Sequence, residues 1–155
     1  MEIRRFKQDD ATETAWVIAE TLRVSNSSDY SKQYIEDNIA SHSSDELIKA
    51  SKERHMYVVC DNRRIIGTGG IAGYWGSLTE SILLTIFVLP EYQGKGIGRK
   101  IIETLEQDEY FLRANRIEIP ASVTAVGFYR KMGYDYKDGI TEPEEGVLYH
   151  LEKFR

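Results

Sequence analysis

The sequence predicts a mixed α/β fold in a single domain over residues 1–155. Its apolar residues change between helical spacing and strand alternation, in the order β, helices, βββ, α, β, α, ββ, which is not a regular βαβ repeat. The length of 155 residues, with 41% hydrophobic and 29% charged residues, is typical of a soluble protein with a sizeable core. We therefore expect a central mixed β-sheet flanked by helices.

The first third of the chain predicts one strand followed by three helices. The strand is expected over "EIRRF", and a long helix follows with Asp9 or Asp10 as its N-cap. Two shorter helices come next, the second capped by Ser43 or Ser44. The helical stretches are "DDATETAWVIAETLR", "SKQYIEDNIASH" and "SSDELIKASKE".

The remaining two thirds predict six strands and two helices. Gly69 and Gly70 interrupt the second of three consecutive strands, which indicates a bulge or a close backbone approach. A helix is expected from about Gly98 to Asp108, and another begins at Ser122 as N-cap and stops at Gly133. The strands are "HMYVVCD", "RRIIGTGGIAGYW", "ESILLTIFV", "RIEIP", "YDYKD" and "GVLYHLEK".

Charge and composition exclude several classes of partner. The net charge of -5 argues against nucleic acid and suits a small cationic substrate. No apolar run approaches the roughly 18 residues of a membrane span, and the N-terminus opens on charge, so we expect a cytoplasmic protein with no membrane partner. Cys60 is the single cysteine and is expected in the core. His42, His55 and His150 lack metal-ligand spacing, so no metal is predicted.

A glycine-rich loop lies between an apolar strand and the start of a helix. Glycine lets a ligand approach the backbone closely, and the first turn of a helix carries N–H groups without internal partners. Such a loop predicts a cradle for an anion, most simply a pyrophosphate. The spacing fits neither the dinucleotide fingerprint nor the P-loop. The alternative is a solvated turn that uses glycine for its geometry alone. The residues concerned are Gly94, Gly96 and Gly98, among the cations Lys95, Arg99 and Lys100.

Two segments resemble the GNAT superfamily of N-acetyltransferases. "VLPEYQGKGIG" fits V-x-P-x-Y followed by Q/R-x-x-G-x-G/A, and "SVTAVGFYRKMGY" looks like A-x-x-F-Y-x-K-x-G-[FY]. The resemblance covers about residues 80–136. It implies the GNAT-like acyl-CoA N-acyltransferase fold, acetyl-CoA as co-substrate, and direct transfer of the acetyl group to a primary amine.

The resemblance also implies which residues bind CoA. Strand residues Phe87 and Val88 are expected to bind the pantetheine arm through their main chains. Ser122 stands where the family often has asparagine, and it either contacts that arm or caps the following helix. Arg99 and Lys100 meet phosphates or remain solvated surface charges. The backbone N–H groups of the cradle belong to Gln93, Gly94, Lys95, Gly96, Ile97, Gly98 and Arg99.

Two side chains are candidates for proton transfer. Tyr129 matches the tyrosine of the family's F-Y pair and is expected to protonate the departing thiolate; the alternative is a packed helix tyrosine. A free alkylamine has a pKa near 10, so a base helps to release its proton. Glu80 begins the strand on which family bases lie and is our candidate base, and the alternative is an exposed strand-end glutamate.

The acceptor amine is the least specified part of the prediction. We expect a small molecule rather than a protein N-terminus or lysine side chain. Candidate acceptor residues are Tyr30, Tyr34, Trp75 and the acidic run Glu142 to Glu145. A non-catalytic module that binds acetyl-CoA for regulation is the competing hypothesis, and a homodimer is compatible with the sequence.

Overall fold

The computed structural model describes residues 1–155 and contains one sheet of seven strands in the order β1-β2-β3-β4-β5-β7-β6. Neighbouring strands are antiparallel except β4 and β5, which are parallel. Each strand predicted from the sequence is present, and the mixed sheet is confirmed. The strands are β1 Glu2–Arg5, β2 His55–Asp61, β3 Arg64–Gly73, β4 Glu80–Val88, β5 Arg116–Ser122, β6 Asp135–Tyr136 and β7 Leu148–Phe154.

Six α-helices flank the sheet. The serine caps follow the predicted chemistry: the Ser31 hydroxyl accepts a hydrogen bond from the Tyr34 N–H at 3.1 Å, and Ser43 accepts one from Glu46 at 3.3 Å. Ser43 and Ser44 were the two serines predicted to cap the third helix, and Ser43 is the cap in the structure. The helices are α1 Ala11–Ser25, α2 Lys32–Ala40, α3 Ser44–Ser51, α4 Ile97–Leu105, α5 Glu109–Leu112 and α6 Val126–Lys131. None of them combines the length and the apolar character that a membrane crossing requires.

Two predicted helix ends were wrong, and at a third the predicted N-cap residue Asp10 is in place without a side-chain bond to the helix. Asp10 precedes α1, but its carboxylate accepts hydrogen bonds from Arg4 and from the Lys7 N–H instead of capping the helix. Ser122 ends β5, and α6 begins four residues later behind Ala125. Helix α4 ends at Leu105, because Asp108 caps the separate short helix α5.

Helix α4 packs closely on β3 because glycine leaves room for it. A Cβ atom at Gly69 would lie 2.5 Å from Ile101 Cγ2. The ladder between β3 and β4 also shifts register here, so that Thr85 and Ile86 together face Gly69. Of the two alternatives predicted for this glycine pair, the close approach to the backbone is confirmed at Gly69, whereas the extra residue of the bulge belongs to β4 and not to β3.

The parallel strands β4 and β5 separate after a short paired segment. Their pairing covers only Glu80–Ile82 against Arg116–Glu118. The bulge follows at Thr85, whose φ of +58° is unusual for a β-branched residue. Beyond this point the two strands leave an opening in the middle of the sheet, and the candidate site lies there.

Candidate functional site

A cavity of about 880 Å³ fills the opening between β4 and β5. Its wall is formed by α1, α2, the two separated strands, α6 and the glycine-rich loop before α4. The volume falls within the range of about 300–1,000 Å³ typical of small-molecule sites. The fold therefore places the glycine loop and the free edge of β4 at one continuous cavity.

The glycines of the loop serve two different purposes. Gly94 and Gly96 have φ values of +75° and +82°, and a Cβ at either would meet no atom of the protein within 4 Å. Backbone conformation therefore requires glycine there. At Gly98 the requirement is packing, because a Cβ would lie 3.2 Å from Phe128 Cζ of α6.

Six consecutive backbone N–H groups, from Gly94 to Arg99, have no hydrogen-bond acceptor within the protein. They surround the first turn of α4, where the helix dipole is positive, so the loop is built to hold an anion. Gln93 was predicted to belong to this set, but its N–H donates to the Pro90 carbonyl at 3.2 Å. The Gln93 side chain instead ties the loop to Ser25 Oγ at 2.9 Å and to the Val88 carbonyl at 3.0 Å.

The three cations of the loop occupy different places. Arg99 lies in the cavity wall. The Lys95 ammonium lies 5.5 Å from the centre of the Tyr92 ring, outside the wall. Lys100 points to another face of α4, where it borders a shallow groove with Ile3. The structure therefore brings one of the three cations, Arg99, to the cavity.

The free edge of β4 presents alternate backbone groups to the cavity. The Leu89 N–H donates to the Ile66 carbonyl of the neighbouring chain segment at 2.9 Å. Alternation then directs the polar groups of Phe87 towards β3 and those of Val88 towards the opening. The Val88 carbonyl already accepts hydrogen bonds from Thr21 and Gln93. Of the two predicted main-chain contacts, Val88 has the suitable orientation, whereas Phe87 contributes its side chain to the wall.

Tyr129 lies in the cavity wall on α6 with 6% of its surface exposed. Burial raises the pKa of its phenol well above the usual range. The hydroxyl therefore stays protonated and can donate. Ser122 also lines the cavity, where its Oγ lies 3.0 Å from Thr124 Oγ1.

Glu80 does not join these residues. Its carboxylate binds the Arg116 guanidinium at 2.8 Å and lies outside the cavity wall. Glu80 begins β4 in the segment still paired with β5, five residues before Thr85, which is about 17 Å along a strand. The bulge also breaks the alternation that was expected to align Glu80 with Val88. The geometry favours an ion-pair role for Glu80.

The α2 end of the cavity, formed by Tyr30, Tyr34, Asn38 and His42, is aromatic and polar. Tyr30 and Tyr34 stack with ring centres 4.6 Å apart, and both line the wall. The Tyr30 hydroxyl donates to the Val147 carbonyl at 2.6 Å and accepts from the Val123 N–H at 3.1 Å. Tyr30 therefore ties the loop before α2 to the segments that follow β5 and precede β7.

The other predicted acceptor residues lie elsewhere. Trp75 is 88% exposed and does not reach the cavity. The run Glu142 to Glu145 also stays outside it, and Glu144 binds His150. No carboxylate lines the wall at all.

Sequence reasoning missed Asn38 and His42, which line this end together with the tyrosines. The structure contains no group of three or more histidine, cysteine, aspartate or glutamate side chains that could hold a metal ion. No motif could have identified His42. Its position depends on the turn from α2 to α3, which brings the ring against Phe87 of β4.

A family model and several solved structures of known proteins both match this chain, in agreement with the sequence motifs. Residues 52–136, more than half of the chain, match the family model described as an acetyltransferase (GNAT) domain. The structure is similar to the PaiA N-acetyltransferase from Thermoplasma acidophilum, solved in complex with coenzyme A. The TM-score is 0.83 and the identity 21%, over 99% of this chain and 98% of that one.

Two further solved structures share the fold. A GCN5-related N-acetyltransferase from Rhodopseudomonas palustris has a TM-score of 0.82 and 20% identity, over 99% of this chain and 95% of that one. An aminoglycoside 6'-N-acetyltransferase complexed with coenzyme A has a TM-score of 0.69 and 17% identity, over 98% and 94%.

The family match includes the features that define the cavity. The segment 52–136 contains the glycine loop, the bulged strand β4 and Tyr129. The family predicted from the sequence motifs is thus confirmed by the match and by the fold. This chain belongs to the GNAT family of acetyltransferases and is an acetyl-CoA-dependent N-acetyltransferase.

Proposed function

We propose that this protein transfers the acetyl group of acetyl-CoA to a primary amine of a small molecule. The observation that carries the proposal is the single cavity that joins the free N–H groups of the loop to the Tyr30–Tyr34 end. One end is suited to an anion and the other to an aromatic or aliphatic amine. The hydrogen bonds of Tyr30 fasten the loop before α2 to the β5 side of the cavity, and this closure favours a small acceptor over an extended peptide.

The loop fits the phosphates of acetyl-CoA. The N–H groups from Gly94 to Arg99 and the Arg99 side chain would hold a pyrophosphate, because Gly94 and Gly96 leave the approach open. The backbone of Val88 would orient the pantetheine arm beside the free strand edge. When bound, acetyl-CoA supplies an activated acyl group as a thioester. Tyr129 would hold the proton that the sulfur requires on departure.

A panel of acceptors tests the proposal. Thiol release from acetyl-CoA is measured with small primary amines, aminoglycosides, free lysine and short peptides, and hydrolysis without an acceptor is subtracted. We expect small amines to be acetylated faster than peptides, with the product confirmed by mass spectrometry. Preference for a peptide N-terminus or lysine would indicate a protein acetyltransferase. Tight acetyl-CoA binding without turnover of any acceptor would indicate the regulatory module.

Substitution of Gly96 tests the cradle without reference to the acceptor. Acetyl-CoA at a hundredfold excess over its dissociation constant should stabilise the wild type by about 2.7 kcal/mol. Gly96→Asp should abolish most of this stabilisation, because it places negative charge among N–H groups intended for phosphates. Gly96→Asn is the matched control, since asparagine has the same shape and tolerates positive φ.

Thermal unfolding with and without acetyl-CoA measures this stabilisation in the wild type and in both variants. The asparagine variant should retain more of the stabilisation than the aspartate variant. Equal stabilisation of the wild type and Gly96→Asp would show that the phosphates bind elsewhere.

A further inference from the structure

Acetyl transfer to an amine releases a proton, and the cavity offers few groups to take it. No aspartate or glutamate lines the wall, and Glu80 is held by Arg116 outside it. Burial raises the pKa of Tyr30 and Tyr34, so their phenols are donors near neutral pH. The Arg99 guanidinium carries hydrogen-bond donors only and cannot accept the proton. The remaining titratable group at the α2 end of the cavity is His42.

The His42 ring is held in one orientation. Its Nδ1 lies 2.7 Å from the Asn38 carbonyl oxygen, which can only accept a hydrogen bond. The proton of the neutral ring is therefore on Nδ1, and the lone pair is on Nε2. Nε2 makes no hydrogen bond within the protein, whereas both nitrogens of His150 are engaged by carboxylates.

The ring also lies near the point where β4 and β5 part. It packs edge-on against Phe87 of β4 with ring centres 5.6 Å apart. Phe87 is two residues beyond the bulge residue Thr85, and both line the cavity with His42. The unpartnered Nε2 of His42 is thus present at the α2 end of the cavity, beside the bulged strand β4.

The surroundings keep the ring neutral. Burial lowers the pKa of His42 below its usual value of 6.5, and the positive charge of Arg54 lowers it further, against the opposing effect of the Asn38 hydrogen bond. Arg54 is itself anchored to Thr85 Oγ1 at 3.3 Å. On α2 and β4 the ring contacts the Asn38 carbonyl and the Phe87 ring, both uncharged, and Ser41 Oγ lies 3.2 Å from Nδ1. Neutral imidazole is the form that can accept a proton.

We propose that His42 is the general base of this enzyme and that its Nε2 accepts the proton lost by the acceptor amine, directly or through one water molecule. The inference rests on the proposed N-acetyltransferase function. The amine nitrogen forms the amide bond to the acetyl carbon, and the bond from that carbon to sulfur breaks with its electron pair on sulfur. His42 takes the amine proton and Tyr129 gives a proton to sulfur. Exchange with solvent then returns both side chains to their starting forms.

The pH dependence of kcat/KM tests this role, with 2-phenylethylamine as the probe amine and acetyl-CoA saturating. The wild type should show a break below pH 6.5, where His42 becomes protonated. His42→Gln should lose this break and lower kcat/KM at neutral pH by roughly a hundredfold or more, the usual scale for loss of a general base. His150→Gln is the matched control and should keep the break, because His150 lies outside the cavity wall.

A second variant separates chemistry from folding. His42→Ala removes the ring, and free imidazole added to it should restore turnover in proportion to its neutral fraction. Acetyl-CoA must still raise the melting temperature of both His42 variants as it does in the wild type, which shows that the fold and the CoA site are intact. A merely structural histidine would not be rescued by imidazole.

The outcomes distinguish this inference from the proposed function. An active wild type whose pH break persists in His42→Gln overturns the role of His42 alone. Loss of the break in Glu80→Gln instead would assign the base to Glu80. A wild type that acetylates no amine in the panel overturns the proposed function, and the base role with it. Loss of the break together with imidazole rescue supports His42 as the base.

Discussion

Replacement of Tyr129 by phenylalanine is expected to lower kcat by roughly a hundredfold or more, the scale typical of a lost general acid. Acetyl-CoA affinity should stay close to that of the wild type, because the ring that packs in the core remains and only the hydroxyl is removed. Single-turnover kinetics with a confirmed acceptor measures the chemical step, and thermal shift measures binding. The phenol can act in this way because burial keeps it protonated at neutral pH.

Tyr134→Phe is the matched control for this experiment. Tyr134 is equally buried, but its hydroxyl donates to Glu106 at 3.0 Å and does not line the cavity. Its loss should reduce the free energy of unfolding by about 1 kcal/mol and leave the chemical step unchanged. An undiminished chemical step in Tyr129→Phe would remove Tyr129 from the mechanism.

Replacement of Arg116 by methionine is expected to lower the free energy of unfolding by about 3 kcal/mol, as measured by urea titration at neutral pH. The Arg116 guanidinium binds Glu80 at 2.8 Å, Glu152 at 2.9 Å and the buried Glu118. Methionine keeps the apolar stem but leaves the Glu118 carboxylate, only 4% exposed, without its main partner. The cost arises mainly because that buried carboxylate then keeps only Lys137 and His150 as partners.

Arg23→Met is the control, because the ion pair of Arg23 with Glu36 is about half exposed. Its loss should cost less than about 1 kcal/mol. Equal effects of the two substitutions would show that the Arg116 cluster contributes no more than a surface ion pair.

The difference in the free energy of unfolding between the wild type and Arg116→Met should depend on pH. Burial raises the pKa of Glu118, but hydrogen bonds from Arg116, Lys137 and His150 outweigh it and bring the pKa below the usual value of 4.5. A carboxylate with a lowered pKa contributes stability that is complete above its unfolded-state pKa and is lost as pH falls through the folded-state value. The difference between wild type and Arg116→Met should therefore narrow as pH falls below about 4.5. A constant difference across that range would contradict the assignment to Glu118.

The sequence predicts Glu80 as a base, whereas its place in the ion-pair cluster around Arg116 favours a structural role. A glutamate at the start of the strand that leads to the cradle has the expected chemistry. Its partner Arg116 is 36 residues away along the chain and becomes its neighbour only through the parallel pairing of β4 and β5. Strand alternation predicts the face of a side chain, but it cannot predict a bulge such as that at Thr85.

Local sequence patterns are sufficient to predict the strands, the helices and the cofactor loop. Alternation of apolar residues specified all seven strands, and the glycine spacing specified the cradle, because both depend on interactions between near neighbours in the chain. Helix ends at Ser122 and Asp108 were less predictable, since a polar side chain can bond a strand, a turn or a helix with similar energy.

The set of side chains that meet at the cavity depends on contacts between distant parts of the chain. The pairing of β4 with β5 holds Glu80 in an ion pair, and the separation of the two strands beyond it exposes the edge at Val88. The turn after α2 places His42 against Phe87, 45 residues later in the chain. These contacts join distant segments, and they form because the helices α1 and α2 cover one side of the divided sheet while burying their own apolar faces. No local pattern in the sequence records that packing.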